Sequence, residues 1–257
     1  MSSDLRYETH GSTAFITFDR PTAHNAMTWE MYETLYKFCD TIDRDDTVRV
    51  VVLQGAGGKA FVAGTDIHQF SEFRSGEDGL SYERRVGEVV DRLEAVQVPT
   101  IALIDGYAVG GGLVLAAACD IRVATPNSRF GLPIAKTLGN CVSIGTCAKL
   151  VALIGSTRTL ELVFTAQLLT AERASELGLV NEVVAAEELP AHVDALCKRI
   201  GSHAPGTMRA TKEMIRRLRS QGLPDSDDLV SACYGSDDFR EGVAAFIAKR
   251  PPVWAGR

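Results

Sequence analysis

Two glycine-rich stretches carry the residue types best suited to binding an anion. Residues 59–67 are K-A-F-V-A-G-T-D-I, and residues 105–113 are D-G-Y-A-V-G-G-G-L. Each follows an apolar run of strand type, and the second is predicted to open a helix. Glycines at such a turn let the backbone approach a ligand with its amides exposed, and a helix N-terminus adds partial positive charge. The pattern suits an anion or a developing oxyanion, and the alternative is that these glycines only permit tight helix–strand packing.

Other chemical signatures are missing from the sequence. Ser143 has Cys141 where a nucleophile elbow needs glycine, and neither a dinucleotide-binding fingerprint nor a P-loop occurs. The six cysteines are scattered without a C-x-x-C pair, so we expect free buried thiols in a reducing compartment and no metal site.

Composition limits the partners of the chain. The 257 residues carry a formal net charge of −6 without a Lys/Arg cluster, which disfavours nucleic acid but permits a local basic pocket. The start of the chain lacks a signal-peptide pattern. The longest apolar candidate, residues 101–119, contains Asp105 and four glycines, so no membrane span is predicted. We expect a cytoplasmic protein, with an organelle matrix not excluded.

The elements that must position these turns alternate between strand and helix in the first half of the chain. Thr28 is a predicted N-cap for a helix with apolar residues at helical spacing. Strands are predicted at residues 13–18, 48–53, 100–104, 121–124 and 180–184, and helices at 29–42, 81–93, 113–118, 170–178, 189–200, 207–219 and 226–250. Such alternation indicates a largely parallel sheet with helices outside. A boundary near residues 201–205 would divide a core, residues 1–200, from a helical region, residues 201–257.

Five segments, in order along the chain, resemble signatures of the crotonase (enoyl-CoA hydratase/isomerase) superfamily. They are D-R-P…N-A-M at residues 19–27, F-V-A-G-T-D-I at 61–67, G-Y-A-V-G-G-G with a following C-D at 106–120, L-T-A-E-R-A…G-L-V-N at 169–181, and F-I-A-K-R at 246–250. A single match would be weak, whereas five in sequence order are specific.

The resemblance implies an α/β fold, a spiral of β-β-α units followed by a C-terminal α-helical trimerisation region. It implies an acyl-CoA substrate, with coenzyme A as part of the substrate and no covalently bound cofactor or metal. Homotrimers, often paired into hexamers, are the expected assembly. The exposed apolar residues of an amphipathic tail agree with that expectation.

The resemblance also assigns roles to individual residues. The backbone amides of Thr65 and Gly111 fall on the two oxyanion-hole positions. Phe246 and Lys249 fall on tail positions that often reach a neighbouring subunit's CoA, and a solvated charge is the alternative for Lys249. The remaining positions expected to bind substrate are Ala23, Asn25, Ala26, Ala63, Asp66, Ile67, Tyr107, Val114 and Ile134.

Two departures from the family pattern concern catalysis directly. Hydratases of this superfamily carry glutamates where this chain has Val114 and Ile134. Adding water across a double bond needs a base and an acid, and neither side chain can transfer a proton. A two-glutamate hydratase mechanism and a one-glutamate isomerase mechanism are therefore disfavoured.

Four other residues are candidates for the missing chemistry. Asn140, Cys141 and Ser143 lie in a loop that borders the reacting carbons in the family, and they could orient water or a carboxylate, attack as nucleophiles, or only pack. His68 could be a base, a CoA contact or a surface residue.

The favoured function is an acyl-CoA enzyme of enoyl-CoA hydratase/isomerase type that stabilises a thioester enolate. Decarboxylation fits best because loss of CO₂ forms the enolate without a base, and thioester hydrolysis or acyl-CoA binding without turnover are the alternatives.

Overall fold

The computed structural model describes residues 3–256 of the chain. Its strands are β1 Leu5–His10, β2 Thr13–Phe18, β3 Val50–Gly55, β4 Ala60–Ala63, β5 Thr100–Ile104, β6 Tyr107–Val109, β7 Ile121–Ala124, β8 Arg129–Gly131, β9 Leu169–Thr170 and β10 Glu182–Val183. Its α-helices are α1 Trp29–Asp43, α2 Gly76–Glu94, α3 Gly111–Ala118, α4 Ile134–Thr137, α5 Ile144–Thr165, α6 Ala171–Glu176, α7 Leu189–Gly201, α8 Pro205–Ser220, α9 Asp227–Tyr234 and α10 Asp237–Ile247. Two short 3-10 helices span Pro21–Ala23 and Ile67–Glu72.

A six-stranded sheet with the order β1-β2-β3-β5-β7-β10 forms the larger layer. Strands β1 and β2 are an antiparallel hairpin, and every further pairing in this sheet is parallel. Val50 to Leu53 are all buried, as expected of a parallel strand covered on both faces. The predicted parallel sheet is confirmed, although β3 begins and ends two residues later than the sequence suggested.

A four-stranded sheet with the order β4-β6-β8-β9 forms the smaller layer. Strands β4, β6 and β8 are parallel, whereas β9 is antiparallel to β8. Because β4 and β6 are parallel neighbours, their carboxyl ends lie at one edge of the sheet. The two glycine-rich turns follow these ends, so the smaller sheet brings them together.

Helix α3, which follows the second glycine turn, lies inside the protein. Every residue from Gly112 to Ala118 is buried, which explains why the helix is apolar on all sides. Near its carboxyl end, the guanidinium of Arg122 donates to the carbonyls of Ala116 and Cys119 at 3.2 and 2.6 Å. These bonds satisfy carbonyls that a helix end leaves without intrahelical partners.

The C-terminal segment differs from the single helix predicted over residues 226–250. It forms α9 and α10, and the break lies at Gly235 and Ser236. The Ser236 hydroxyl accepts from the Phe239 amide at 3.0 Å and so caps a new helix. Tyr234 and Phe239, on either side of the break, are about 1% exposed and belong to the main core.

Two apolar clusters stabilise the fold. The larger one joins α1, α2, α3, α9 and α10 to the sheets, and the smaller one packs α7 against the other face of the six-stranded sheet. The α/β class and the presence of C-terminal helices are therefore confirmed. The division at residue 200 stays a prediction. Within residues 3–256, no helix combines the length and the apolar character that a membrane span requires.

Candidate active site

The two glycine turns lie in direct contact. Gly64 and Gly110 both have left-handed backbone conformations, with φ angles of 83° and 57°. A methyl group built on Gly110 would lie 3.5 Å from Cα of Gly64, an ordinary van der Waals contact, so the two turns are immediate neighbours. The positive φ values, which glycine adopts without strain, are the reason for glycine at both positions.

The backbone amide of Thr65 is directed by a bridge to Met27. The Met27 amide donates to the Gly64 carbonyl, and the Asp66 amide donates to the Met27 carbonyl, both at 2.9 Å. In such a parallel bridge the partner residue itself, Thr65, points its amide to the opposite side. Gly111 opens α3, and the first amides of a helix have no intrahelical acceptor.

The Thr65 side chain turns into the protein. Its hydroxyl lies 2.9 Å from the Tyr32 hydroxyl and 2.8 Å from the Tyr82 hydroxyl. Burial raises the pKa of Tyr32 to about 12 and raises the pKa of Tyr82 well above its ordinary value. All three hydroxyls are therefore neutral near pH 7 and fix the conformation of Thr65 by hydrogen bonds.

A cavity of about 150 Å³ lies against these two backbone segments. Its floor is the two glycine turns, and its walls come from the loop after β8, from α4 and from the aromatic residues of the 3-10 helix and α2. The lining residues are Ala63, Gly64, Thr65, Ile67, Phe70, Tyr82, Val109, Gly110, Gly111, Pro133, Ile134, Thr137, Leu138, Asn140 and Phe246.

The described part of this lining holds no carboxylate, imidazole, thiol or ammonium group. Its polar side chains belong to Thr65, Tyr82, Thr137 and Asn140. The first two bond to each other, and the Thr137 hydroxyl donates to the Pro133 carbonyl at 2.9 Å. Oδ1 of Asn140 is buried without a hydrogen-bond partner, which is unusual for a buried polar atom.

The amide of Asn140 leads to a carboxyl group that the sequence analysis missed. Nδ2 of Asn140 donates to the Tyr234 hydroxyl at 3.2 Å, and that hydroxyl donates to Oε1 of Glu83 at 2.6 Å. The Ser143 amide donates to Oε2 of Glu83 at 3.0 Å. Burial, only partly offset by these hydrogen bonds, raises the pKa of Glu83 to about 7.

The other two candidates of the loop, Cys141 and Ser143, lie outside the cavity lining. The Ser143 hydroxyl caps α5, where it accepts from the Thr146 amide at 3.3 Å. The hydrogen bond to Cys233, together with burial, raises the pKa of the Cys141 thiol. A thiol held in its neutral form is a poor nucleophile.

Several residues expected to bind substrate lie outside the cavity lining. Val114 is buried inside α3 with 7% of its surface exposed, whereas Tyr107 is 44% exposed at the start of β6. His68 is exposed on the 3-10 helix, and Lys249 is exposed just after α10 with a left-handed φ of 53°. Phe246 lines the cavity of its own chain.

Residues 19–27, the first of the segments that resemble the family's signatures, are held in place by buried polar contacts, partly with Asp66 of the second segment. Asn25 is fully buried, and its Nδ2 donates to the carbonyls of Ala56 and Ala60 at 3.0 and 2.7 Å. Asp66 accepts from the Arg20 guanidinium at 2.7 Å. These side chains are occupied within the protein, so this segment, including Ala23 and Ala26, offers mainly backbone to a ligand.

No group of three or more potential metal ligands occurs within residues 3–256. The six cysteines are all free thiols, and three of them are buried.

Comparisons with known proteins give consistent results. Residues 8–257 match the family model described as enoyl-CoA hydratase/isomerase. The short-chain-enoyl-CoA hydratase of Clostridium acetobutylicum is 35% identical over 247 residues, which cover 95% of this chain and 94% of that protein. A crystal structure of an enoyl-CoA hydratase/carnitine racemase from Magnetospirillum magneticum is 34% identical with a TM-score of 0.82, covering 100% of this chain and 97% of that one. Methylmalonyl-CoA decarboxylase in complex with 2-nitronate-propionyl-CoA is 28% identical with a TM-score of 0.91, and the match covers 100% of both chains.

Proposed function

Since the chain belongs to the enoyl-CoA hydratase/isomerase family of acyl-CoA enzymes, we propose that it binds an acyl-CoA thioester in the cavity beside Thr65 and Gly111 and stabilises the enolate formed there. The two backbone amides donate to the thioester oxygen as negative charge develops on it. Donors fixed by the fold need no reorganisation during the reaction, and losing one such donor typically costs about 2.7–4 kcal/mol.

The reaction that fits this site best is decarboxylation of a malonyl-type thioester. The bond between the α-carbon and the carboxylate breaks, CO₂ leaves, and the electron pair passes into the enolate held by the amides. A proton from water then adds to the α-carbon. The observation that carries this proposal is the absence of a carboxylate, imidazole, thiol or ammonium group from the described lining of the cavity.

The similarity to methylmalonyl-CoA decarboxylase supports the same reaction class. Asn140 is the lining residue with an unsatisfied buried atom, Oδ1, which is an acceptor, so its amide has to present Nδ2 to donate to the substrate carboxylate. The apolar neighbours Ile134 and Leu138 disfavour the charged carboxylate relative to neutral CO₂.

Hydration of an enoyl-CoA is the second candidate, and the 35% identity to a short-chain-enoyl-CoA hydratase favours it. It needs a base for the water and an acid for the α-carbon. Ile134 in the lining and Val114 outside it supply neither. Hydration in this chain therefore requires a proton carrier beyond the cavity wall.

A panel of acyl-CoA thioesters incubated with the protein in D₂O and followed by mass spectrometry separates these reactions. The panel contains malonyl, methylmalonyl, enoyl, 3-hydroxyacyl and saturated thioesters. Loss of CO₂ with gain of one deuterium from the malonyl types supports the proposal. Gain of water by the enoyl thioester supports hydration instead, and release of free CoA supports hydrolysis. Binding of several thioesters without conversion or deuterium uptake would contradict catalysis and support a non-catalytic acyl-CoA-binding protein.

We also propose that the protein assembles into a homotrimer or a dimer of trimers. Helix α8 has no buried residue in the single chain, and Met214, Ile215 and Leu218 on it are 57–74% exposed. A contiguous apolar face on an amphipathic helix indicates an interaction surface. A cytoplasmic location stays a prediction.

A further inference from the structure

The hydrogen bonds between Asn140, Tyr234 and Glu83 have a direction, and the charge on Glu83 decides it. A tyrosine hydroxyl has one hydrogen, and an ionised carboxylate can only accept. When Glu83 is ionised, Tyr234 therefore donates to Glu83 and accepts from Nδ2 of Asn140, as their separations of 2.6 and 3.2 Å allow. This leaves the buried Oδ1 of Asn140, a residue of the cavity lining, without a partner, so the unpaired side of the amide is an acceptor.

Protonation of Glu83 reverses this direction. The protonated carboxyl donates to the Tyr234 oxygen, and the Tyr234 hydrogen is then free to donate to Asn140. A half-turn of the Asn140 amide gives up the 3.4 Å hydrogen bond from Nδ2 to the Cys141 carbonyl. It places Oδ1 against Tyr234 and Nδ2 toward the cavity. The amide then offers a donor, which a carboxylate on the substrate can accept.

We propose that Glu83 is a positioning residue that sets, through Tyr234, whether Asn140 presents an acceptor or a donor to the acyl group. A carboxylate-bearing thioester selects the donor form and so binds together with a proton on Glu83. This inference rests on the proposed function, because it assumes that an acyl-CoA occupies the cavity.

The hydrogen-bonded chain Asn140–Tyr234–Glu83, called the relay below, is held in place by the residues around it. A methyl group built on Gly79 of α2 would lie 2.1 Å from Cβ of Tyr234, so the tyrosine is seated directly on the helix that carries Glu83. The Tyr234 ring packs against Phe239 and Tyr82, with centroids 4.8 and 6.0 Å away. Moving the hydroxyl away from Glu83 would require repacking of this buried cluster.

Glu83 can exchange a proton without crossing the acyl cavity. It lines a separate cleft of about 420 Å³ together with Ser143, and no ion pair to Glu83 occurs within residues 3–256. The titratable and charged groups that face Glu83 or share this cleft are Tyr32, Tyr82, Tyr234, Cys141, Cys147, Cys233, Arg84, Glu88, Asp91, Lys149 and Asp227. The pKa values of the three tyrosines, Cys141 and Cys147 are raised, chiefly by burial and, for Cys141, by its hydrogen bond with Cys233, whereas that bond lowers the pKa of Cys233. Within the relay itself, Glu83 is therefore the group that titrates near neutral pH.

Isothermal titration calorimetry near pH 8, in buffers of different ionisation enthalpy, tests the proposal. The probes are 2-carboxypropyl-CoA and propyl-CoA, two thioethers that cannot react and that differ in the carboxylate. Their common CoA phosphates titrate alike, so the difference in proton uptake reports the acyl end. Since Glu83 is roughly 90% ionised one unit above a pKa of about 7, we expect the carboxylate probe to take up about 0.5–0.9 proton more.

Variants separate the relay from a merely structural role. Glu83→Gln removes the titrating group, and Tyr234→Phe keeps the ring but breaks the relay, so both are expected to abolish the extra proton uptake. Glu88→Gln, an exposed change on the same helix, is the control and should keep it. Equal uptake for the two probes, or extra uptake that persists in Glu83→Gln, overturns the inference alone. Failure of the wild-type protein to bind either probe overturns the proposed function.

Discussion

The hydroxyl of Thr65 lies 2.8 Å from the hydroxyl of Tyr82, so the residue whose amide is the proposed oxyanion donor is anchored by its own side chain. Tyr32 approaches the same oxygen from α1 at 2.9 Å. Two helices far apart in sequence thereby fix the orientation of one peptide group. An oxyanion hole depends on such fixed donors.

Replacing Thr65 by valine should weaken the fold. The change preserves shape but removes the hydroxyl that both buried tyrosines contact. Unsatisfied buried hydroxyls typically cost about 1–3 kcal/mol, so the free energy of unfolding in urea should fall by that amount. Thr65→Ser keeps the hydroxyl and should lose clearly less. Equal losses in the two variants would mean that the methyl packing, not the hydrogen bonds, matters.

Alanine should impair folding at Gly112 but turnover at Gly111. A methyl group at Gly112 would lie 1.8 Å from the Val62 carbonyl oxygen, a backbone clash that should prevent accumulation of soluble protein. At Gly111 the nearest atom is the Tyr32 hydroxyl at 3.0 Å, which can shift, so Gly111→Ala should fold. Because Gly111 lines the cavity, we expect turnover to fall at least about 10-fold. Circular dichroism and a turnover assay check the pair, and a folded, fully active Gly112→Ala would contradict the packing argument.

Ile134→Glu should add proton transfer to the site. Ile134 lines the cavity and is 8% exposed, so a carboxyl there would have a raised pKa and face the acyl group. We expect the variant to exchange the α-protons of butyryl-CoA in D₂O at least about 10-fold faster than the wild-type protein. Ile134→Gln has a similar shape without a base and is the control. Equal exchange in both variants would show that this position cannot reach the α-carbon.

The pH dependence of the free energy of unfolding should reveal the raised pKa of Glu83. Its pKa is raised from 4.5 to about 7, so the folded state holds a proton that the unfolded chain releases. Stability therefore falls as pH rises from about 4.5 to 7, by up to about 3 kcal/mol at 1.36 kcal/mol per unit. Urea unfolding of the wild-type protein and Glu83→Gln across this window should show the variant gaining relative stability. Parallel curves would contradict the raised pKa, and Glu88→Gln should remain parallel to the wild type.

Leu218→Glu should disrupt assembly. The side chain is 74% exposed on the apolar face of α8, so a charge there costs the single chain little but would be buried in an interface. Light scattering after size-exclusion chromatography should show a lower mass than the wild type. Leu229→Glu, on α9 and 67% exposed, tests whether this effect is specific to α8.

Local patterns predicted much of the fold. Thr28 caps α1 as expected, with its hydroxyl accepting from the Met31 amide at 3.3 Å, because capping depends on a few adjacent residues. The break at Gly235 and Ser236 was missed because the apolar spacing continues through it. The short strands β4 and β8 carry too few residues for a periodic signal.

The site was only partly predictable for a similar reason. The glycine turns are contiguous motifs, so the sequence identified them. Glu83 is separated from Tyr234 by 151 positions and sits in an ordinary amphipathic helix, so nothing near it in sequence signals its role. The burial of Asn25 likewise follows from tertiary contacts to Ala56 and Ala60, which the motif alone does not reveal.

The position of Tyr234 and Phe246 in the chain has a consequence for biosynthesis. Asn140 meets Tyr234 across 94 positions, and Phe246 completes the cavity wall from α10. A ribosome therefore releases the glycine turns well before the residues that finish the pocket. A nascent chain paused before α9 would expose the aromatic faces of Phe70, Phe73 and Tyr82 to chaperones. Under the proposed function, the protein could bind an acyl-CoA thioester only after the last helices had emerged and docked.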